Sequence, residues 1–402
     1  MDLNTERAVD QWLGPPLCAL ASMVHALWPD RAPAHPPRTV VVMLLSEMGS
    51  MVCSQPMWRA LKARYPGATL YALVLEKNRA VIDLLGEIPR ENVLTISDAS
   101  PWRFIRESLA MVRRLRRLAV DAVVDCELFA RFTALLSFAS GAPIRVGFDP
   151  LTQEGLYRGR LNNRRVPYNP YVHIAGQYLT LAGALDSAAT PPAKAAAPAA
   201  RPALLPLPLD EPAVGACQTR LRTEYPGLGE RPLVLLFPGV GVLTIRGWPV
   251  ESYALLAMEL IGRGYAVAVI GPPEDVPLGE RIVAACRHPA CINLAGTTRS
   301  IADLMPLFEV AELLIGNDGG PCHFAALTRV RILTFFGPET PLLYAPLGRT
   351  AATLYQPLAC SPCLTAYNHR RTYCDGDNVC LRQIGVPAAL EAALQLLSSP
   401  RA

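Results

Sequence analysis

The stretch AELLIGNDGGPCHFAAL, residues 311–327, decides the fold class. It begins as a short apolar run, which is typical of a strand that is buried on both faces of a parallel sheet. Two glycines follow Asp318, and Pro321 occupies a position that suits the first turn of a helix. The stretch therefore predicts a strand, a glycine turn and a helix over Cys322–Thr328, which is the repeating unit of a parallel α/β sheet.

Similar apolar runs occur along the whole chain, separated by helical segments such as Gln55–Tyr65 and Pro101–Leu118. The predicted strands are 39–46, 69–75, 92–97, 121–127 and 145–148, then 232–239, 265–271, 291–296, 311–318 and 331–338. Between the two sets, residues 187–212 are rich in Ala and Pro and show neither the helix nor the strand periodicity of apolar residues. This composition indicates a linker. We predict two doubly wound, Rossmann-like domains, 39–186 and 213–402, that face a central cleft, and an N-terminal extension over 1–38.

Three loops carry residues that suit a phosphorylated ligand. In GNDGGPCHFAAL, Gly319 and Gly320 let the backbone approach a ligand, and the following helix start offers free N–H groups, with His323 in its first turn. In FPGVGVLTIRGWPVESY, residues 237–253, the Arg246 guanidinium can pair with a diphosphate. In GPPED, residues 271–275, Glu274 can accept a hydrogen bond from a ribose hydroxyl.

The order of these motifs resembles the donor half of the heptosyltransferases, glycosyltransferase family 9. The matching series is RGWP, GPPE, NLAGTT, GNDGGPCHFAA and FFGPET. The resemblance implies a GT-B fold and a nucleotide-sugar donor, with ADP-heptose first, and no catalytic metal. It implies that Arg246 and Thr244 of the same loop bind the donor. It also implies that Asp318, Gly319, Gly320 and His323 lie against the diphosphate and sugar, with Glu274 at the ribose.

The first half resembles the same family in VVVMLLSEMGSMVCSQPMWRALKARYP, residues 40–66. The family usually has Asp, its catalytic base, where this chain has Ser50. Carboxylates that can replace it are Glu47 in the same loop and Asp125 or Glu127 at the end of another predicted strand. Asp125 and Glu127 alternate along that strand end, so both side chains can point to one side, and we rank them above Glu47.

Four cysteines near the C-terminus have the spacing C-x2-C-x10-C-x5-C: Cys360, Cys363, Cys374 and Cys380. Four thiolates suit a tetrahedral structural zinc or iron site. Free thiols or a disulfide pair are the alternatives, and the resemblance favours metal because family members often carry a CSPC segment here.

Composition limits the partners. The chain has 402 residues and a formal charge of only +4, which does not favour nucleic acid. No apolar stretch is long enough to span a membrane, and the acidic N-terminus does not resemble a secretory signal, so we expect a cytoplasmic protein. The apolar run Leu17–Trp28 predicts either a helix packed on the first domain or a membrane-surface helix. The basic run Arg113–Leu118 is either a solvated helix face or a contact for anionic headgroups.

The sequence thus predicts an inverting glycosyltransferase that moves a heptose or related sugar to a hydroxyl of a glycan, lipopolysaccharide core or protein. A lipid-linked acceptor would bring it to the inner face of the membrane as a peripheral protein. The alternative is a non-catalytic sugar-nucleotide-binding or assembly protein on the same scaffold, because the family's base is missing. A dinucleotide-dependent dehydrogenase is disfavoured because no G-x-G-x-x-G follows the first strand.

Overall fold

In a computed structural model the chain divides into two compact units, residues 1–202 and 203–402, which are described separately. The structure describes residues 3–27, 35–45, 47–149, 156–187, 201–241, 243–368, 370, 372 and 374–400, without the side chains of 3–7. Half of the predicted linker, residues 188–200, lies outside this part of the chain.

The first unit alternates strands with helices. Its strands are β1 Thr39–Met43, β2 Thr69–Leu75, β3 Val93–Ile96, β4 Ala122–Asp125, β5 Ile144–Asp149 and β6 Arg164–Pro167. Its helices are α1 Leu3–Leu27, α2 Met48–Cys53, α3 Gln55–Arg64, α4 Arg79–Leu85, α5 Pro101–Arg117, α6 Arg131–Ala139 and α7 Ile174–Gly183.

The second unit repeats this alternation. Its strands are β7 Leu233–Phe237, β8 Ala266–Val269, β9 Cys291–Asn293, β10 Leu313–Asn317, β11 Arg331–Phe336 and β12 Ala351–Tyr355. Its helices are α8 Glu211–Glu224, α9 Val250–Gly262, α10 Val276–Cys286, α11 Leu304–Val310, α12 Gly320–Ala325, α13 Pro341–Tyr344, α14 Val379–Arg382 and α15 Val386–Ser398.

Both sheets are parallel and have the same strand order. It is β3-β2-β1-β4-β5-β6 in the first unit and β9-β8-β7-β10-β11-β12 in the second. The central strands are buried on both faces because helices cover them, which explains their uninterrupted Val and Leu runs. The prediction of two doubly wound α/β domains is confirmed. In this topology the order reverses between β1 and β4 and between β7 and β10, and ligands bind beside the carboxyl ends at such points.

Two strands at the sheet edges are absent from the sequence-based prediction. The β6 strand, RRVP, carries two arginines and a proline in four residues, and β12 is exposed or half-buried along its whole length. Each pairs with a single neighbour at the edge of its sheet. An edge strand is covered less completely than a central one, so it needs no continuous apolar run and leaves a weak sequence signal.

The N-terminal extension contributes α1, which packs against α6. Asp10 of α1 accepts hydrogen bonds from the backbone N–H groups of Arg131 (2.9 Å) and Phe132 (2.9 Å), and so caps the start of α6. Gly14 lies so close to Arg131 that a Cβ there would be 2.3 Å from the arginine Cδ. In the described part of the chain, no helix combines the length and the apolar character that crossing a membrane requires.

Candidate functional site

Asn317 connects the loop after β7 and the start of α9 to the end of β10, at the carboxyl edge of the second sheet. It is the last residue of β10 and is completely buried. Its Oδ1 accepts hydrogen bonds from the Trp248 backbone N–H (2.9 Å) and the Tyr253 hydroxyl (3.1 Å). Its Nδ2 donates to the carbonyl oxygens of Pro238 (2.8 Å) and Gly239 (3.3 Å). This one amide therefore fixes the loop after β7 and the start of α9 relative to β10.

Arg246 lies on this edge among carboxylates. Its Nη2 donates a hydrogen bond to Glu339 Oε1 at 2.8 Å, and its Nε lies 3.6 Å from Asp318 Oδ2. All three side chains are largely buried, with 16% of Arg246, 9% of Asp318 and 3% of Glu339 exposed. Arg246 Nε is buried and has no hydrogen-bond acceptor among the described residues. A second arginine, Arg370, approaches Glu339 Oε1 at 3.2 Å.

The electrostatics of this cluster are balanced. The pKa of Asp318 is raised by burial and lowered in part by Arg246, with a net upward direction. Burial disfavours the charged form of Arg246, but Asp318 and Glu339 outweigh it, so the pKa of Arg246 is raised. Two guanidinium groups, those of Arg246 and Arg370, face two carboxylates. The cluster is therefore held together without a net charge.

Arg370 also contacts an aromatic ring. Its Nη2 donates to the Tyr344 hydroxyl at 3.1 Å, and its guanidinium carbon lies 5.4 Å from the centre of that ring. The segment FFGPET was part of the predicted motif series, but no role was assigned to Glu339. Arg370 was missed because it lies between Cys363 and Cys374, in a segment that was considered only for its cysteines. The signal for Glu339 was its position three residues after the end of the buried strand β11, whose neighbour β10 ends just before Asp318.

The predicted phosphate-binding turn begins a short helix. Gly319 precedes α12 in an extended conformation, and no side chain of the described residues caps the helix start. His323 lies in α12 and is buried. A Cβ on Gly319 would lie 3.1 Å from the Phe237 ring, so close packing against β7 requires a small residue here. The loops after β7 and β10 thus meet at this point.

The loop after β8 places Glu274 and Asp275 differently. Glu274 is exposed, whereas Asp275 is buried and its Oδ2 has no hydrogen-bond partner in the described part of the chain. A Cβ on Gly239 would lie 1.9 Å from that oxygen, and one on Gly271 would lie 2.7 Å from it. Burial, and then the adjacent Glu274 carboxylate, raises the pKa of Asp275. Sequence reasoning selected Glu274 and overlooked its neighbour.

In the first unit, Asp125 is part of a buried ion pair. It is the last residue of β4 and is fully buried. Its Oδ2 pairs with Arg158 and accepts a hydrogen bond from the Thr133 hydroxyl at 2.9 Å, while Oδ1 accepts from the Glu127 backbone N–H at 3.1 Å. Burial raises the pKa of Asp125 although Arg158 opposes the shift. Both carboxylate oxygens are therefore occupied.

Glu127 and Glu47 are both associated with the loop after β1, whereas Asp125 contacts α6. Glu127 is buried, and its Oε1 accepts a hydrogen bond from the Leu45 backbone N–H at 2.6 Å. Glu47 is half-buried, precedes α2, and accepts a hydrogen bond from the Ser50 hydroxyl at 3.2 Å. The three carboxylates of the sequence analysis are thus separated: Glu127 and Glu47 contact this loop, and Asp125 faces α6.

The four C-terminal cysteines differ in exposure. Cys360 and Cys374 are exposed, Cys363 is half-buried and Cys380 is buried. Burial, followed by the neighbouring thiols, raises the pKa of Cys380. Within the described residues, no group of three or more His, Cys, Asp or Glu side chains is arranged to hold a metal ion. The structure therefore gives no support to the predicted structural metal.

Comparison with known proteins identifies the family to which the chain is similar. Residues 108–373 match the family model of glycosyltransferase family 9 (heptosyltransferase). The chain is 28% identical to lipopolysaccharide heptosyltransferase 2 of Salmonella typhimurium over 322 residues, covering 78% of this chain and 87% of the relative.

Two solved structures share the fold. One is the ADP-heptose lps heptosyltransferase II of E. coli (TM-score 0.66, 23% identity, 89% of this chain and 98% of that one). The other is a family 9 glycosyl transferase of Veillonella parvula (TM-score 0.68, 19% identity, 90% and 97%). The predicted GT-B fold class is thereby confirmed.

Proposed function

This chain belongs to glycosyltransferase family 9 and is a glycosyltransferase, and from that premise we propose that it is an inverting heptosyltransferase. Its donor in this proposal is ADP-heptose or a related nucleotide-sugar, and its acceptor is a hydroxyl of the lipopolysaccharide core. Its similarity to lipopolysaccharide heptosyltransferase 2 and to the ADP-heptose lps heptosyltransferase II supports the sugar and the acceptor class.

The single observation that carries the proposal is the position of Arg246. A guanidinium group is held by Asp318 and Glu339 at the carboxyl edge of the sheet, beside the start of α12, and its buried Nε has no acceptor among the described residues. A donor diphosphate supplies acceptor oxygens for such a group, and guanidinium matches phosphate geometry well. Arg246 then offsets the charge that develops on the diphosphate as it leaves.

The acceptor hydroxyl must lose its proton as it attacks the anomeric carbon, and a positioned carboxylate is the group to take it. We place Glu47 in this role. It is half-buried, lies in the loop after β1 and is oriented by Ser50. In the sequence analysis it ranked below Asp125 and Glu127. The pairing of Asp125 with Arg158, and of Glu127 with the Leu45 backbone, supports structural roles for both.

A lipid-linked acceptor also implies a location. We propose peripheral contact with the cytoplasmic face of the inner membrane, where such an acceptor would present its hydroxyl to the enzyme. The exposed arginines of α5 suit anionic headgroups, as the sequence analysis suggested.

Calorimetry and a turnover assay test this function. ADP and ADP-heptose should bind the purified protein, and ADP-heptose with a deacylated core acceptor should release ADP and give a product heavier by one heptose. If neither ADP nor any ADP- or GDP-sugar binds, the proposal is lost. Binding without any ADP release, even by slow hydrolysis, would instead favour the non-catalytic alternative.

A further inference from the structure

The outer face of α1 is apolar from Val9 to Leu27, within the part of the helix whose side chains the structure describes. Ten side chains of the described stretch 8–27 are exposed, and all ten are apolar. They are Val9, Trp12, Leu13, Pro16, Leu17, Leu20, Met23, Val24, Ala26 and Leu27. The exposed fractions reach 77% for Trp12 and 73% for Leu27. A helix at a protein–water surface normally shows the opposite distribution, with its polar side chains turned outward.

This orientation is fixed by polar contacts on the inner face. Asp10 caps the start of α6, and the Ser22 hydroxyl accepts a hydrogen bond from the backbone N–H of Arg160 at 2.9 Å. Gly14 and Cys18 are buried between these two contacts. Rotating α1 to bury its apolar face would break the hydrogen bonds of Asp10 and Ser22. It would also turn Gly14 and Cys18 toward solvent. The apolar side therefore faces outward as a property of the packed unit.

A second helix with exposed apolar side chains packs on α6 as well. In α5 the exposed fractions are 73% for Trp102, 51% for Ile105 and 56% for Leu109. Its anchors on α6 are the Phe104 ring, 4.7 Å from the Phe132 ring, and Arg116 Nε, which donates to the Ala139 carbonyl at 2.8 Å.

These contacts place α1 and α5 on neighbouring sides of α6. The α1 helix contacts the side chain of Arg131 and the ring of Phe138, whereas α5 contacts the ring of Phe132 and the Ala139 carbonyl oxygen. Residues one apart on a helix are about 100° apart around its axis. The two exposed faces therefore flank the same helix.

Charge distinguishes the two helices. The exposed side of α5 carries six arginines. Arg103 pairs with Glu76 and Glu107, and the other five are Arg106, Arg113, Arg114, Arg116 and Arg117. Arg160, whose backbone is bonded to Ser22 of α1, is exposed as well. Apolar and tryptophan side chains beside a cluster of arginines are the combination found in helices that lie in the interface of an anionic bilayer.

We propose that α1 and α5 form one membrane-docking surface, in which α1 lies in the headgroup region of an anionic lipid bilayer and the arginines of α5 and Arg160 contact lipid phosphates. This deepens the membrane contact of the proposed function by naming the inserted element. A second copy of the chain fits less well, because a two-fold contact through this surface would bring the α5 arginines of one copy toward those of the other.

The experiment is vesicle flotation of the full chain with phosphatidylcholine vesicles, alone and with 30% phosphatidylglycerol. Wild-type protein should float with the anionic vesicles. The variant Leu17→Glu/Leu20→Glu should lose at least tenfold in partitioning. The matched control Leu255→Glu/Met258→Glu makes the same change at exposed apolar positions of α9, outside the proposed surface, and should float like wild type. The variant Trp12→Ser/Leu13→Ser probes the other end of α1 with milder changes.

The arginines give an independent prediction. Arg113→Gln/Arg117→Gln should weaken anionic-vesicle binding about fivefold for each arginine, since one basic residue near such a surface contributes about 1 kcal/mol. Binding of this variant to neutral vesicles should stay at the wild-type level, and wild-type binding should weaken as salt is raised.

Three results would overturn the inference. One is wild-type protein that stays with the aqueous fraction at every lipid composition. Another is full vesicle binding by both α1 variants in folded form. The third is sedimentation velocity showing a wild-type dimer that becomes a monomer in Leu17→Glu/Leu20→Glu, which would make α1 a subunit interface. ADP titrations of the same proteins distinguish the two proposals. Wild-type protein that does not bind ADP would refute the donor site, but this result would not contradict the docking surface.

Discussion

Replacing Arg246 by Ala should have two separable effects, on donor affinity and on stability. For affinity, the lost interaction is a charge-assisted hydrogen bond to phosphate worth about 1.5–3 kcal/mol, so ADP should bind about tenfold to 150-fold more weakly. For stability, Asp318 loses its pairing with the Arg246 guanidinium, and Glu339 loses one of the two arginines that contact it. Glu339 keeps one partner, so we expect a cost of about 1–3 kcal/mol, or about 2–12 °C in Tm for a domain of this size.

A compensating variant separates these effects. In Arg246→Ala the four charged side chains of the cluster change from a balance of two positive and two negative groups to an excess of one negative charge. Adding Asp318→Asn removes that excess at the carboxylate that lost its arginine, so Arg246→Ala/Asp318→Asn should regain most of the lost Tm. It should not regain donor affinity, because no guanidinium faces the diphosphate. Arg263→Ala, at an exposed pair with Glu259, serves as the control for removing an arginine.

The loss of stability should also depend on pH. Burial raises the folded-state pKa of Asp318, and removing Arg246 takes away the group that opposes this shift. A carboxyl whose pKa is raised on folding stabilises the fold while it is protonated, and that contribution is lost as pH rises through the folded-state pKa. The Tm difference between wild type and Arg246→Ala should therefore be larger at pH 8 than at pH 5.

Calorimetric titration with ADP and thermal unfolding followed by circular dichroism measure both effects. A folded Arg246→Ala with wild-type ADP affinity would remove this arginine from the donor site. Recovery of ADP affinity in the double variant would show that the single substitution acted through the fold, and the electrostatic reasoning would fail.

Other substitutions test the remaining assignments. Glu47→Gln should leave ADP binding intact and lower turnover about a hundredfold or more, as expected for loss of a positioned base, whereas Glu127→Gln should have a smaller effect. Asp125→Asn should chiefly lower Tm, because breaking a buried pair costs about 3–5 kcal/mol, and native turnover by all three variants would place the base elsewhere. Asn317→Ala removes four hydrogen bonds and should cost about 2–4 kcal/mol in unfolding free energy; an unchanged denaturation midpoint would contradict its joining role. Asp275→Asn should raise Tm at pH 8 more than at pH 4, since the raised pKa of Asp275 makes its charged form destabilising in the fold, and a pH-independent difference would argue against this.

The central strands were predictable because burial on both faces leaves a signal in consecutive residues. The predicted runs 69–75 and 311–318 correspond to β2 over Thr69–Leu75 and β10 over Leu313–Asn317. The helix predicted over Pro101–Leu118 ends one residue earlier, and it begins with Ser100 accepting a hydrogen bond from the Arg103 backbone. Local patterns of this kind need no knowledge of the rest of the fold.

Site residues were harder to predict because their roles depend on partners far along the chain. Asp125 and Glu127 have the same local appearance, and only Arg158, 33 residues after Asp125, shows that Asp125 is enclosed in an ion pair. Glu339 meets Arg246 across 93 residues. The cysteine spacing suggested a metal, yet spacing alone does not determine how thiols on an irregular loop are oriented.

The two units use one strand order for different chemistry. At the reversal between β7 and β10, opposite charges remain partly accessible in a neutral cluster around Arg246, which suits a ligand that brings its own negative charge. At the reversal between β1 and β4, the buried Asp125 carboxylate is paired with Arg158. Glu47, in the loop after β1, is only half-buried. A catalytic base must be accessible to the acceptor hydroxyl, whereas a diphosphate site needs N–H groups that can donate hydrogen bonds. The difference in burial at the two reversals supports the proposal that the second unit binds the donor and that Glu47 of the first unit removes the proton.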